Sequence, residues 1–270
     1  MINKIGPFMI DGLPAFTRIT PEQVGPYVIF VVKDPLHGCD KDVAEEVAEH
    51  FDTHTLVSDT GMAKTYTGTY KGARITVVSC GSGAPELEII LMDFMTHSNA
   101  HTFIRVGGSG AMQEHLSVGD LVIATGAVRD DGTSRSYVPG QFPAIADYEL
   151  VAAMKKAAED RGYRHHLGIT RSCDSEYAGV GRPARNGYLL QQHEQEFEMW
   201  HRAGVLNVER EASILLTLTT LFGLRGGVVN AIGDNFVTGE KFVAGAGFEH
   251  AIMTALDGIA LLDERLKLKA

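Results

Sequence analysis

The sequence predicts an α/β fold in which a mostly parallel sheet is covered by helices on both faces. The first observation is the run Tyr27–Val32 (YVIFVV), which is short, continuous and rich in β-branched residues, as in strands that are buried on both faces. The second is that such runs alternate with helical patterns along the chain, which is typical of βαβ units. The third is that glycine-rich segments follow the strands, where parallel sheets bind their ligands.

The first half of the chain divides into elements by apolar spacing and turn residues. After the first strand, residues 40–51 are predicted to form a helix because Val43, Val47 and Phe51 lie on one apolar stripe. Further strands are predicted over residues 74–79, 101–106 and 120–125, and a helix over residues 85–98. Residues 107–110 (GGSG) are predicted to be a loop because glycine interrupts regular structure.

The second half continues this alternation and contains one long irregular segment. Strands are predicted over residues 166–170 and 226–232, and helices over residues 147–161, 189–202, 209–222 and 245–268. Residues 171–188 show no regular pattern, and such segments of compact domains usually bind ligands or close over a site. The sequence contains neither a repeat nor a low-complexity linker, so we expect one domain over residues 1–270.

The composition narrows the class of protein. Hydrophobic residues make up 44% of the chain, enough for a large core, and the formal net charge of −10 argues against a nucleic-acid binder. Cys39, Cys80 and Cys173 are far apart and form no CxxC pair, so we expect neither a disulfide framework nor a zinc site. The sequence has no signal-like N-terminus and no stretch near the roughly 18 apolar residues of a membrane span. We therefore expect a cytoplasmic protein that binds neither membranes nor metals.

Two glycine-rich segments and an arginine are candidate ligand contacts at strand ends. Gly81 and Gly83 follow one predicted strand, and Gly108 and Ser109 follow another, so their backbone amides are open to an anion or a sugar hydroxyl. Tight structural turns explain these residues equally well. Arg105 ends an apolar strand, where a charge is costly unless it is paired or functional. The adjacent glycines favour a ligand role for Arg105 over a structural ion pair.

Charged residues also stand at two later junctions. Glu209, Arg210 and Glu211 lie between apolar segments, where a capped helix start would explain one charge but not three. Carboxylates accept hydrogen bonds from pairs of sugar hydroxyls, so these residues are candidate ligand contacts. Asp234 follows the predicted strand over residues 226–232 and is part of a simple Asx turn, a general acid, or a residue that orients a base.

Three segments, taken together, resemble the uridine phosphorylase branch of the nucleoside phosphorylase family. They are residues 81–85 (GSGAP), similar to the family's G-x-G-G-P loop, residues 102–134 (TFIRVGGSGAMQEHLSVGDLVIATGAVRDDGTS), and residues 207–213 (NVEREAS), similar to its N-x-E-M-E-S-A ribose motif. The resemblance runs over nearly the whole chain. It implies a single-domain phosphorylase/hydrolase-like fold with a central mixed sheet flanked by helices, assembled as a homodimer or as a homohexamer made of dimers.

The resemblance also implies roles for matching positions around phosphate and ribose. Arg105, Gly108 and Ser109 are similar to the family's phosphate contacts. Glu211 is similar to the carboxylate that binds the ribose hydroxyls, and Arg210 stands in place of a methionine that lies under the sugar.

At the base, the resemblance implies a pocket with one clear departure. Tyr177 is similar to the aromatic residue that faces the base, and Arg182 to the arginine that uridine phosphorylases use against the pyrimidine. Asp234 stands where purine-specific relatives have their acid. The glutamine that reads uracil is Val180 in this chain, so we expect uridine to be a poor substrate.

The phosphate loop departs from the family pattern. Residues 33–37 (KDPLH) stand in place of G-D-P-x-R, so Lys33 replaces a glycine and His37 an arginine. The arginine that a partner subunit lends in the family corresponds to Gly61, with Lys64 close by. Lys33, Lys64 or His37 would then complete a cationic pocket around Arg105. Protonation of His37 near an ordinary pKa of about 6.5 would strengthen phosphate binding as the pH falls.

The resemblance implies a nucleoside phosphorylase, a pentosyltransferase that cleaves the N-glycosidic bond of a ribonucleoside with phosphate to give free base and ribose 1-phosphate. Phosphate would be the co-substrate, and we expect no cofactor. Two other functions stay open. One is a nucleosidase, in which water attacks, and the other is a non-catalytic nucleoside-binding protein.

Overall fold

The computed structural model describes residues 5–269 of the chain. The strands are β1 (Met9–Ile10), β2 (Leu13–Pro14), β3 (Tyr27–Val32), β4 (Thr53–Asp59), β5 (Lys64–Tyr70), β6 (Ala73–Cys80), β7 (Thr102–Ala111), β8 (Leu121–Asp130), β9 (Ala144–Ile145), β10 (His165–Cys173), β11 (Asn207–Glu209) and β12 (Arg225–Asn235). The helices are α1 (Val43–Ala48), α2 (Ala84–His97), α3 (Gly132–Tyr137), α4 (Tyr148–Asp160), α5 (Gln191–Arg202), α6 (Ala212–Leu221) and α7 (Phe248–Lys269). Within residues 5–269, no helix combines the length and apolar character needed to cross a membrane.

Most of the described strands belong to one ten-stranded mixed sheet. Its order is β11-β10-β8-β12-β7-β3-β6-β5-β4, with β9 paired to β8. Strands β6, β3, β7 and β12 are mutually parallel, whereas β8 is parallel to β10 and antiparallel to β12. Strands β4, β5 and β6 form an antiparallel edge, and β1 pairs only with β2. The mixed sheet that the resemblance implied is confirmed.

Helices cover both faces of this sheet because successive strand residues point to opposite faces. In β3, Ile29 and Val31 pack in one apolar core with residues of α1, α4 and α7, whereas Val28 and Phe30 pack in another with residues of α2 and α6. All four side chains are buried, and each contributes about 1.5–3 kcal/mol relative to an exposed side chain. The two cores fix the central strands, and with them the positions of the residues at the strand ends.

The predicted loop over residues 107–110 is instead the last part of strand β7. The glycines continue the ladder with β12, in which Gly107 pairs with Asn230 and Gly108 with Ala231. Glycine disfavours a strand through its backbone entropy, but the parallel ladder supplies the hydrogen bonds that offset this cost. The backbone here is therefore held in the sheet.

Other differences from the sequence prediction lie at an edge and at element ends. Strands β4 and β5 were not predicted, because this edge hairpin carries polar residues and lacks a continuous apolar run. Helix α1 is shorter than the predicted 40–51, since the Asp42 side chain accepts the Ala44 N–H and caps it. Helix α6 begins at Ala212 and not at 209, because residues 207–209 join the sheet as β11.

Candidate active site

A cavity lies at the carboxyl ends of strands β3, β7, β11 and β12. Most of the site residues predicted from the sequence line it: His37, Arg105, Gly108, Ser109, Arg182, Glu209, Arg210, Glu211 and Asp234. Four predicted residues are not part of its lining: Lys33, Gly81, Gly83 and Tyr177. The cavity is therefore at the edge of the sheet where parallel strands place a ligand.

Arg105 extends from β7 and has only 4% of its surface exposed. Its Nη2 atom donates to Glu211 Oε2 at 2.6 Å, its Nε atom lies 3.1 Å from Glu209 Oε2, and Nη1 donates to Asn230 Oδ1. Burial would lower the pKa of Arg105, but the charges of Glu211 and Glu209 outweigh burial and raise that pKa. The guanidinium is a permanent cation, and two carboxylates already balance its charge.

Gly107 provides the space in which the Arg105 side chain lies. The two residues are separated by one position in β7, so they face the same side of the sheet. A Cβ atom at position 107 would lie 2.7 Å from Arg105 Cζ, closer than real contacts allow. Any side chain at this position would displace the guanidinium.

Glu209 caps the start of helix α6. Its Oε2 atom accepts the backbone N–H groups of Glu211 at 2.8 Å and Ala212 at 2.9 Å, and Ser172 donates to Oε1. Burial raises the pKa of Glu209, and the charge of Arg105 opposes this rise. The first amides of a helix lack intrahelical partners, so this carboxylate stabilises the helix start. Although Glu209 lines the cavity, the structure shows it in the capping role that the sequence allowed for one of the three charges.

Glu211 is held between a glycine loop and Arg105. Its Oε1 atom accepts the backbone N–H of Gly83 at 2.6 Å and lies 3.4 Å from Ser82 Oγ, which donates to it. Gly83 has a φ of 99°, a conformation that favours glycine, so this loop presents its amide to Glu211 and not to the cavity. Gly81 packs against the neighbouring Glu86 side chain. Gly83 therefore supports Glu211, whereas the predicted contacts of Gly81 and Gly83 with substrate stay predictions.

A second ion pair lines the cavity at the end of β12. Arg182, from the irregular segment after β10, donates through Nη2 to Asp234 Oδ2. Its Cζ atom lies 4.6 Å from the centroid of the Phe236 ring, within the range of a cation–π contact. Asp234 is 7% exposed. The pair places donor and acceptor groups side by side. Tyr177, by contrast, is 61% exposed and is not part of the cavity lining.

Arg210 joins two loops beside the cavity. Its Nη1 atom donates to Ser82 Oγ at 3.1 Å, and its Nη2 atom donates to the Asp174 carbonyl at 3.1 Å. Glu176 Oε1 lies 3.7 Å from Arg210 Nε, and burial raises the pKa of Glu176. Where the resemblance places a methionine, this chain therefore has a pair of opposite charges.

His37 is buried and neutral. Its ring stacks on Phe248 with 4.1 Å between ring centroids. Burial lowers the pKa of His37 to about 4, because the imidazolium loses its hydration in this environment. The expectation that His37 titrates near pH 6.5 and strengthens phosphate binding there is therefore wrong.

The two lysines proposed as substitute cations are engaged elsewhere. Lys33 Nζ donates to the Gly61 carbonyl at 3.1 Å and lies 4.0 Å from Asp42 Oδ2. Lys64 Nζ donates to Glu45 Oε2 at 2.9 Å. The Lys33 backbone N–H donates to the Cys80 carbonyl. The Lys33 side chain extends toward Gly61 and is not part of the cavity lining.

Comparison with known proteins identifies the family. The Phosphorylase superfamily matches residues 29–255 of the chain. The chain belongs to this superfamily. It is 43% identical over 201 residues to a uridine phosphorylase of Thermococcus kodakarensis, covering 74% of this chain and 72% of that protein. It is 35% identical over 245 residues to a uridine phosphorylase of Treponema pallidum, covering 88% and 90%. A guanosine phosphorylase of Halorubrum lacusprofundi is 30% identical over 197 residues, covering 73% and 76%.

In this phosphorylase superfamily member, sequence reasoning missed several residues that shape the site. Asn230 accepts a hydrogen bond from Arg105 on the neighbouring strand, and Ser172 donates to Glu209. Glu176 lines the cavity beside Arg210. Asn230 alone carried a signal, since it is a polar residue within the apolar strand VVNAI. Within residues 5–269, no cluster of three or more His, Cys, Asp or Glu side chains is placed to hold a metal ion.

Proposed function

We propose that the protein is a nucleoside phosphorylase, which cleaves the N-glycosidic bond of a ribonucleoside with phosphate and releases free base and ribose 1-phosphate. The observation that carries the proposal is the contact between Arg105 and Glu211 in the cavity wall. A carboxylate accepts hydrogen bonds from the paired hydroxyls of ribose, and the adjacent guanidinium can bind a phosphate oxygen. The two substrates would therefore meet at one place, as group transfer requires.

The reaction needs the phosphate oxygen aimed at the anomeric carbon and the base free to leave on the other side. As the C–N bond breaks, negative charge develops on the base. Arg182 and Asp234 stand together in the same cavity, and a cation there would stabilise that charge or a proton would neutralise it. The names of the similar uridine and guanosine phosphorylases agree with this chemistry and leave the base open.

Phosphate binding has to overcome the charge balance of the cavity. Arg105, Arg182 and Arg210 each lie within ion-pair distance of a carboxylate, and His37 is neutral. Among the described residues of one chain, no unpaired lysine or arginine lines the cavity. This supports a homodimer, or a homohexamer of dimers, in which a partner copy adds a cation. Sedimentation of the purified protein would test the assembly.

The same charge balance favours a second candidate, a nucleosidase in which water replaces phosphate. A neutral His37 in place of an arginine, and Lys33 turned toward Gly61, are no handicap when the nucleophile is uncharged. We place either enzyme in the cytoplasm and expect activity without a cofactor, so a metal chelator should leave the rate unchanged.

One experiment tests these functions. A panel of purine and pyrimidine ribonucleosides is incubated with the enzyme at several phosphate concentrations, and the sugar product is identified. Rates that saturate with phosphate and yield ribose 1-phosphate support the phosphorylase. Rates independent of phosphate, with free ribose as product, reject it in favour of the nucleosidase. Binding without cleavage of any nucleoside would leave a nucleoside-binding protein.

A further inference from the structure

Three cavity residues come from one segment that has little regular structure. Residues 174–188 follow β10 and contain only short 3-10 turns, yet they carry Glu176, Val180 and Arg182 into the cavity lining. Extended loops of this kind are intrinsically mobile, so side chains on them are placed accurately only where the backbone is fixed. The contacts that fix this backbone therefore decide how the segment meets a base.

Arg171, near the end of β10, is the residue that reaches under this segment. It is 1% exposed, which makes it the largest fully buried side chain described. Its Nη1 atom donates to the Gly179 carbonyl at 2.9 Å. Its Nε atom donates to Asp130 Oδ2 at 2.9 Å and its Nη2 atom to Glu196 Oε1 at 2.9 Å. Its guanidinium carbon also lies 6.0 Å from the Trp200 ring centroid.

A buried charge is expensive unless it is paired and hydrogen-bonded, and here the pairing comes from strand β8 and helix α5. Strand β8 belongs to the central sheet. The remaining guanidinium nitrogen of Arg171, Nη1, donates to the carbonyl of Gly179, directly before Val180. Through Asp130, the guanidinium thus connects the central sheet to the backbone next to a cavity-lining residue, and Arg171 is not itself part of the cavity lining.

The segment is folded tightly around this contact. A Cβ atom at Gly179 would lie 2.7 Å from Cys173 Sγ and 2.8 Å from Ser175 Cβ. Ser175 Oγ also accepts the backbone N–H groups of Tyr177 and Gly179. Because the turn has no spare room, a shift of the Gly179 carbonyl would be passed on to Val180 and Arg182.

We propose that Arg171 is a positioning residue for base selection, which acts by fixing the Gly179 carbonyl and thereby the placement of Val180 and Arg182. This inference rests on the proposed function, because base selection is measured on nucleosides. The substrate class concerned is the set of ribonucleosides that share one sugar and differ in the base.

The test compares two buried arginines that hold irregular segments. Arg171→Met removes the contact with Gly179. The matched control is Arg129→Met, since Arg129 is also buried and donates to the Pro139 and Phe142 carbonyls, on a segment outside the cavity. Initial rates for the best nucleoside and for one with a different base are measured with each variant, together with the melting temperature.

We expect Arg171→Met to lower kcat/KM for the best nucleoside by about tenfold to a hundredfold, mainly through KM, and to narrow the preference between the two bases. Arg129→Met should lower the melting temperature and keep the wild-type base preference. Arg171→Lys, which keeps the charge, should recover part of the preference. An unchanged ratio of the two kcat/KM values in Arg171→Met would overturn the proposal.

Two further outcomes show whether the role of Arg171 or the proposed function has failed. If Arg171→Met does not fold, Arg171→Lys is measured in its place, and a ratio of the two kcat/KM values equal to that of wild type overturns the proposal, because an ammonium group does not reproduce the forked contacts of the guanidinium. If wild type cleaves no nucleoside, the proposed function fails while the inference is still tested, by calorimetric binding of the same nucleosides. Equal ratios of Kd in wild type and Arg171→Met would then reject it.

Discussion

Single residues of the cavity show how the fold controls charge. Arg105 keeps its proton because two carboxylates stand beside it, whereas burial of the His37 ring lowers its pKa and leaves it neutral. The first outcome is a permanent but balanced cation and the second is a neutral ring. Both follow from burial and neighbours, which sequence spacing does not reveal.

The low pKa of His37 predicts how the free energy of unfolding depends on pH. Its pKa is about 4 in the folded chain against 6.5 when unfolded, so the unfolded chain binds the proton more readily. Stability is therefore lost as the pH falls from 6.5 toward 4, by about 2 kcal/mol at pH 5. Urea unfolding of wild type and His37→Gln at pH 7 and pH 5 checks this. The variant should lose less stability than wild type over that interval, and equal losses would show that His37 is not the group involved.

Removing the charge of Glu211 should lower the activity strongly and leave the fold intact. Glu211→Gln keeps the shape but removes the charge that faces Arg105 and that we propose to bind the ribose hydroxyls. Charged hydrogen bonds contribute roughly 1.5–3 kcal/mol, so kcat/KM should fall by about 10- to 150-fold. Glu198→Gln, on the partly exposed helix α5, is the matched control and should behave as wild type. Wild-type kcat/KM in Glu211→Gln on every active nucleoside would rule out the ribose assignment.

At the scale of elements, the irregular segment after β10 carries the residues to which we assign the base preference. Val180 is 4% exposed and lines the cavity, and it is the position at which the resemblance implies a glutamine that reads uracil. A base that loses such a partner keeps unpaired polar groups, which lowers its reactivity.

Uridine should accordingly be a poor substrate, with kcat/KM at least about tenfold below that of the best nucleoside. Val180→Gln should narrow this gap because it restores an amide, while Val180→Leu, which adds only apolar volume, should not. Steady-state kinetics on uridine and the best nucleoside give the answer. Efficient turnover of uridine by wild type would contradict the prediction.

Elements also show where sequence reasoning succeeds and where it stops. Strand β3 was predicted with its observed ends because a strand buried on both faces must be apolar at every position. The strand predicted for β7 ended at residue 106, because glycines in the local sequence indicate a turn. In the structure the ladder with β12 keeps these glycines in the sheet. Two contacts join positions that are far apart in the sequence, so no local sequence pattern could predict them. They are the contacts of Arg182 with Asp234 and of Lys33 with Gly61.

For the whole molecule, the overall charge opposes the proposed co-substrate. The net charge of −10 repels phosphate, so a local cation has to reverse the field in the cavity. Arg105 is the cation with the deepest position there. Its family assignment was available from sequence, while its partners Glu209, Glu211 and Asn230 became known only from the fold.

Arg105→Ala should therefore raise the phosphate KM by about tenfold or more, with a smaller change in the nucleoside KM. Removing this charge also leaves two buried carboxylates unpaired, so the melting temperature has to be measured beside the kinetics. Arg105→Lys is the matched control, because it keeps the charge and loses the forked geometry. A phosphate KM that is the same in wild type and Arg105→Ala would exclude Arg105 as the anchor.

The guanidinium of Arg105 lies directly over Gly107, and this has a consequence for how the chain tolerates mutation. A residue without a side chain makes no chemical contribution of its own, yet every replacement introduces a Cβ atom into the volume that the guanidinium occupies. In a library of all single substitutions selected for activity, position 107 should be as depleted as position 105. The site therefore depends on the space that Gly107 leaves for the guanidinium as much as on the charged groups around it.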